Sequence, residues 1–309
     1  MKLVRLLRGS LIKYPVSSLA VIQHPVLALL GGAAAIAFAP IFVRISEVGP
    51  LATAFWRLLL ALPILWIWDR LDRRRRPAVR QPQAPADYLR LAAAGLFFAG
   101  DLAVWHWSLR FTPVANATLL VNYAPIWVTL GSWWLFKDRI EKIFLAGLSL
   151  ALSGATLIVG ASFQIRLGQV WGDALALTAS VSYAGYLLAV TRLRREFSTA
   201  AIMFWSTAGC TTVLWLATWI SHENFFTASW PGWLILAGLA LVSHVAGQGL
   251  ITHALAHLPA AFSAVTLLLQ PVLAAFFAWI LLREGLDFRQ IMGGLLVLAG
   301  IFLARRSHR

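Results

Sequence analysis

Two successive runs of five apolar segments constrain this chain more than any other property. The first run occupies residues 25–160 and the second residues 161–304. An α-helix needs roughly 20 residues to cross about 30 Å of hydrocarbon. Ten segments approach that length, near 25–43, 51–68, 89–109, 113–136, 143–160, 170–190, 199–220, 231–252, 259–281 and 290–304. Five is odd, so a second set that spans again must lie upside down relative to the first. The sequence therefore predicts an all-α membrane protein with ten transmembrane helices in two inverted five-helix repeats. With 60% hydrophobic and 12% charged residues, the 309-residue chain does not suit a soluble core.

Basic residues set the expected orientation. With the amino terminus placed inside, 20 of the 26 Lys and Arg residues fall on the cytoplasmic side. They cluster in a basic tail (residues 1–24), around Arg73, around Lys137, around Arg194 and at the carboxy-terminal end (305–309). Both termini are thus expected in the cytoplasm. The tail has no clear cleavage site and reads as a cytoplasmic segment rather than a signal peptide. Equivalent loops also swap charge: the loop at Arg73 is densely basic, while its counterpart at His222 and Glu223 has no Lys or Arg. Inversion requires such a swap. The net charge of +14 does not point to nucleic acid, because no basic face alternates with aromatics.

The repeats can be aligned residue by residue. At an offset of 146, Pro113 matches Pro259, Pro125 matches Pro271, Lys137-Asp138 matches Arg283-Glu284, Gly147 matches Gly293 and Gly154 matches Gly300. Upstream, Leu91–Gly95 matches Leu234–Gly238 at an offset of 143. A three-residue difference in length therefore lies in the third or eighth helix or the loop that follows it. Pro113 and Pro259 suit helix starts. Pro125 and Pro271 lie inside helices, where each removes a hydrogen bond and predicts a kink or gating hinge.

These residues carry a resemblance. Phe55-Trp56-Arg57 in helix 2, Ala115 to Pro125 followed by Lys137-Asp138, and Ala261 to Pro271 followed by Arg283-Glu284 resemble the drug/metabolite transporter superfamily. Specifically, they resemble its ten-helix members with EamA-type repeats, and among those the bacterial YddG-type aromatic amino acid exporters. The resemblance covers nearly the whole chain after residue 25. It implies a multi-pass protein of the inner membrane. The family's usual Gly-Glu near the end of helix 4 is here Lys137-Asp138, which puts the turn into helix 5 in question.

Polar groups within a membrane are costly and commonly face protein or a water-filled cavity. On that ground the candidate substrate-binding residues are Asp101, Trp105, Asn122, Tyr123, Tyr183, His244, Gln248 and Gln270, with Arg57, Pro125 and Pro271 in gating or structural roles. Asp101 suits receipt of an ammonium, exchange of a proton, or pairing with Arg57. At the 143 offset His244 is its counterpart, so both halves place a titratable group at one depth. Aromatics lying deep in the segments suit a bulky apolar substrate group. No cofactor, metal site or catalytic pair is indicated, and the lone Cys210 forms no disulfide. The expected function is alternating-access export of aromatic or large apolar amino acids; the alternative is broad efflux of amphipathic drugs or other metabolites. The expected partners are that small-molecule substrate, membrane lipid and, through Asp101 or His244, protons.

Overall fold

The computed structural model describes residues 24–159, 169–283 and 285–307. The basic tail before residue 24, the junction between the repeats and Glu284 lie outside the described residues. Ten helices long and apolar enough to cross a membrane are present among them. They are α1 (Pro25–Arg44), α2 (Pro50–Arg75), α3 (Pro85–Ser108), α4 (Asn116–Phe136), α5 (Lys142–Val159), α6 (Val170–Leu193), α7 (Thr199–Ile220), α8 (Trp230–Ala254), α9 (Ala260–Leu281) and α10 (Phe288–Arg306).

Helix α2 runs past the expected end at residue 68, and α3 begins before the expected residue 89. The polar end of α2 stays helical because acids precede bases by one turn: Asp69 pairs with Arg73 at 2.7 Å and Asp72 with Arg76 at 3.6 Å. Much of the expected basic loop is therefore helix.

The prolines break helices where a lost N–H predicts. Helix α4 is interrupted at Asn122 and Tyr123, just before Pro125, and α9 at Leu268, just before Pro271. Tight bonds three residues back replace the lost ones, from Tyr123 N to Leu120 O (3.2 Å) and from Leu268 N to Val265 O (3.1 Å). Two further breaks, not foreseen, occur at Phe38 in α1 and at Leu60–Ala61 in α2. There Pro40 and Pro63 leave the carbonyls of Ile36 and Leu59 without their usual partners.

The length difference between the repeats lies in α8. Gly95 precedes the end of α3 by 13 residues and Gly238 precedes the end of α8 by 16, while both helices stop five residues before the matched prolines. Residues Leu239–Gln248 form a π-helical run, whose wider turns take up the surplus. His244 sits inside that run, where the register drifts from 143 to 146. Its match to Asp101 is therefore approximate.

The packing is reciprocal. Helix α5 lies along α10, and Gly147 and Gly154 of α5 and Gly293 and Gly300 of α10 each lie against the other helix's backbone. A Cβ on Gly154 would stand 2.5 Å from Gly293 O, and one on Gly147 2.7 Å from Gly300 O. Gly147 and Gly154 are the repeat equivalents of Gly293 and Gly300, so each pair maps onto the other under exchange of the halves. Such self-complementary contact is the mark of a two-fold relation and agrees with an inverted repeat. Likewise α3 packs on α6 and α7 of the other half, as α8 packs on α1 and α2.

Candidate functional site

A cavity of about 660 Å³ enters the bundle from the face where α1 ends and α2 begins. Val43, Arg44, Pro50, Leu109 and Val159 mark its mouth. Deeper in, Arg57 of α2, Trp105 and His106 of α3, Asn122 at the α4 break, and Gln270 and Pro271 at the α9 break line the wall. The two broken helices thus supply an amide each, one of them exactly where the helix is interrupted. Most of the remaining lining is apolar, including Ile36, Ala54, Leu102 and Leu239. The volume and mixture are those of a small-molecule site.

The polar groups are underused. Arg57 is 9% exposed, and its Nε has no hydrogen-bond partner. Asp101, also 9% exposed, is within electrostatic reach of Arg57. The two make no contact ion pair among the described residues. The Asn122 Nδ2 and Gln270 Nε2 also lack acceptors. His106 donates through Nδ1 to the Leu102 carbonyl at 2.5 Å, which leaves its Nε2 as a bare acceptor. Buried donors and acceptors without partners are costly, and four of these belong to residues lining one cavity.

The other candidates form the layer behind it. Tyr183 neighbours both Gln270 and Tyr186. Phe98 stacks between Tyr186 (4.7 Å) and His244 (5.9 Å). His244 Nε2 is bonded to the Thr207 hydroxyl at 2.8 Å, and Gln248 donates to the Tyr186 hydroxyl at 3.2 Å. His244 and Gln248 share a face as expected, but that face looks toward α6 and α7. Tyr123 packs against the cluster of Ala117, Leu120 and Ala176 between α4 and α6, and Pro125 is buried. His106 is not among the residues the sequence points to; its place just beyond Asp101, between Trp105 and Trp107, is the only sequence signal for it.

The face opposite the mouth is held by ions. Arg80, in the link between α2 and α3, and Arg90 on α3 both pair with Asp87 (2.8 and 2.6 Å) and with Glu196 before α7. Both guanidinium groups also lie over the Phe197 ring, at 5.2 and 5.7 Å. At the mouth face, Glu47 accepts bonds from Ser229 and Thr227, and Glu223 accepts one from Ala52 N at 3.0 Å. No group of three metal-ligating side chains exists among the described residues.

The chain matches the EamA-like transporter family twice, over residues 24–160 and again over 170–306. It belongs to that family. Members of the family are transporters and not enzymes, and the doubled match reproduces the repeat. The chain is 29% identical over 219 residues to the pseudopaline exporter CntI of Pseudomonas aeruginosa, covering 71% of this chain and 75% of that protein. It is 25% identical over 277 residues to a probable amino-acid metabolite efflux pump of Salmonella typhimurium, covering 86% and 89%. A solved protein structure superposes with a TM-score of 0.76 at 18% identity, covering 92% of this chain and 98% of that one. These matches carry the family and the fold; they do not single out the aromatic exporters within it.

Proposed function

We propose that this protein exports amphipathic small molecules across a bacterial inner membrane by alternating access, with both termini cytoplasmic. The carrying observation is the largely apolar cavity, reached from one face, with an Arg57 guanidinium lacking a contact counter-ion in its wall. An apolar body would lie against Trp105 and the α1 wall. An acidic group would meet Arg57, and Asn122 and Gln270 would donate hydrogen bonds to it. The relatives' names, one concerning pseudopaline and one amino-acid metabolites, support broad efflux over a single substrate type.

A narrower reading, export of aromatic or large apolar amino acids, draws on Asp101. Its carboxyl group, within electrostatic reach of Arg57 though not among the cavity-lining residues, suits an α-ammonium that passes Arg57 while Arg57 takes the carboxylate. In either reading Asp101 is the candidate for proton coupling, and His244 and Gln248 hold the wall behind the substrate.

Counterflow in reconstituted vesicles, with a panel of amino acids, their N-acetyl and methyl-ester derivatives and cationic amphiphiles, tests both. Broad efflux predicts exchange of several acidic or zwitterionic amphiphiles. Loss of exchange for both N-acetyl and ester derivatives would favour the amino-acid reading. A preference for cations lacking any acidic group would overturn the role given to Arg57.

A further inference from the structure

The polar end of α2 carries two kinds of arginine. Arg73 and Arg76 are neutralised by Asp69 and Asp72, and Asp69 itself is buried at 2% exposure. Arg70, Arg74 and Arg75 are exposed and have no acidic partner among the described residues. Arg70 and Arg74 follow Trp66 at intervals of four, so these three side chains share one stripe of the helix, and Arg75 lies outside it. The Arg70 guanidinium lies over the Trp66 ring at 5.3 Å. Ile67 and Leu71 flank the stripe at 50% and 44% exposure and complete a groove of about 320 Å³ formed by α2 alone.

Helix length fixes the depth of this groove. Helix α2 has 26 residues from Pro50 to Arg75, at most about 39 Å at roughly 1.5 Å per residue, since the break at Leu60–Ala61 can only shorten its reach. Hydrocarbon takes up about 30 Å. With Pro50 at one boundary, the other falls near Arg70. Trp66 and Ile67 then lie at the edge of the acyl region, Arg70 at the boundary and Arg74 one turn further out, where phosphates lie. The surface therefore has an apolar part at acyl depth and two unneutralised guanidinium groups at headgroup depth.

We propose that the groove of Trp66, Ile67, Arg70, Leu71 and Arg74 is a binding site for an anionic phospholipid in the leaflet opposite the cavity mouth. One acyl chain lies along Ile67 and Leu71, and the phosphate bridges Arg70 and Arg74. The neighbouring paired arginines take no part, because Asp69 and Asp72 already satisfy them.

Native mass spectrometry of the full-length protein, with equal phosphatidylglycerol and phosphatidylcholine in detergent, tests this. Wild type is expected to retain phosphatidylglycerol preferentially. The Arg70→Gln/Arg74→Gln double variant should lose about thirty-fold of that preference, and the Arg73→Gln/Arg76→Gln double variant should keep it. Three results would overturn the proposal: no preference in wild type, an unchanged preference in Arg70→Gln/Arg74→Gln, or an equal loss in both double variants, which marks a general charge effect.

Discussion

At the scale of single residues, Lys137 shows what a lost glycine costs. It closes α4 with φ 59°, and its repeat counterpart Arg283 closes α9 with φ 55°. Both adopt the left-handed conformation that helix ends favour and glycine supplies without steric penalty. The turn into α5 is thus kept although its usual glycine is absent, and the backbone bears the strain. Lys137→Gly is expected to stabilise the protein by about 1 kcal/mol, seen as a higher Tm in detergent; an unchanged or lower Tm would show that the lysine side chain compensates. Arg57 gives a second prediction. Arg57→Gln keeps a donor but removes the charge, so exchange of acidic amphiphiles should fall by at least about tenfold, with protein yield and Tm close to wild type. Equal loss of exchange and yield would make Arg57 a structural residue instead.

At the scale of helices, sequence and structure part in instructive ways. The breaks before Pro125 and Pro271 were legible because the prolines recur in register. Those before Pro40 and Pro63 have no such signal, because α6 and α7 have no matching prolines. Periodicity placed His244 and Gln248 on one face correctly, but only packing decides which neighbour a face meets, and here it is Thr207 and Tyr186. Asn122 and Gln270, which stand near the prolines in the sequence, both line the cavity. The α5–α10 glycines yield a prediction at this scale. Gly154→Ala or Gly293→Ala sets a methyl 2.5–2.6 Å from the facing carbonyl oxygen, an overpacking cost of about 1–3 kcal/mol. The double variant should depart from additivity, since the two sites share one contact. Gly31→Ala, whose added methyl meets Leu250 at an ordinary 3.6 Å, serves as the control and should leave Tm nearly unchanged.

At the scale of the whole molecule, two glutamates occupy the same place in the two halves. Glu47 lies two residues before the N-cap of α2, and Glu196 lies two residues before the N-cap of α7. Each reaches the link leading into the third helix of the other half: Glu47 meets Thr227 and Ser229 ahead of α8, and Glu196 meets Arg80 ahead of α3 as well as Arg90 within it. Both ties are made at once, although the cavity reaches only one face. If exchange of the two halves converts one access state into the other, each tie maps onto its counterpart, and both persist in both states. On that condition the ties would belong to a fixed frame, and the opening and closing parts would be those around Val43 and Val159 at the mouth. Spin labels at Ile45→Cys and Trp230→Cys, exposed beside the tie but outside it, should keep one distance distribution with and without substrate. Labels at Val43→Cys and Val159→Cys should shift between two. A tie distance that changes in step with the mouth would make these contacts gates instead. The frame has a pH limit at the mouth face. Hydrogen bonds from Ser229 and then Thr227 hold the Glu47 carboxyl below its ordinary range. Its tie is complete above the unfolded-state pKa and is lost as pH falls through the lower folded value. Melting temperature should therefore drop on acidification below the normal carboxylate range, and less steeply in Glu47→Gln, which carries no titrating group there; parallel curves would place the acid-sensitive contact elsewhere.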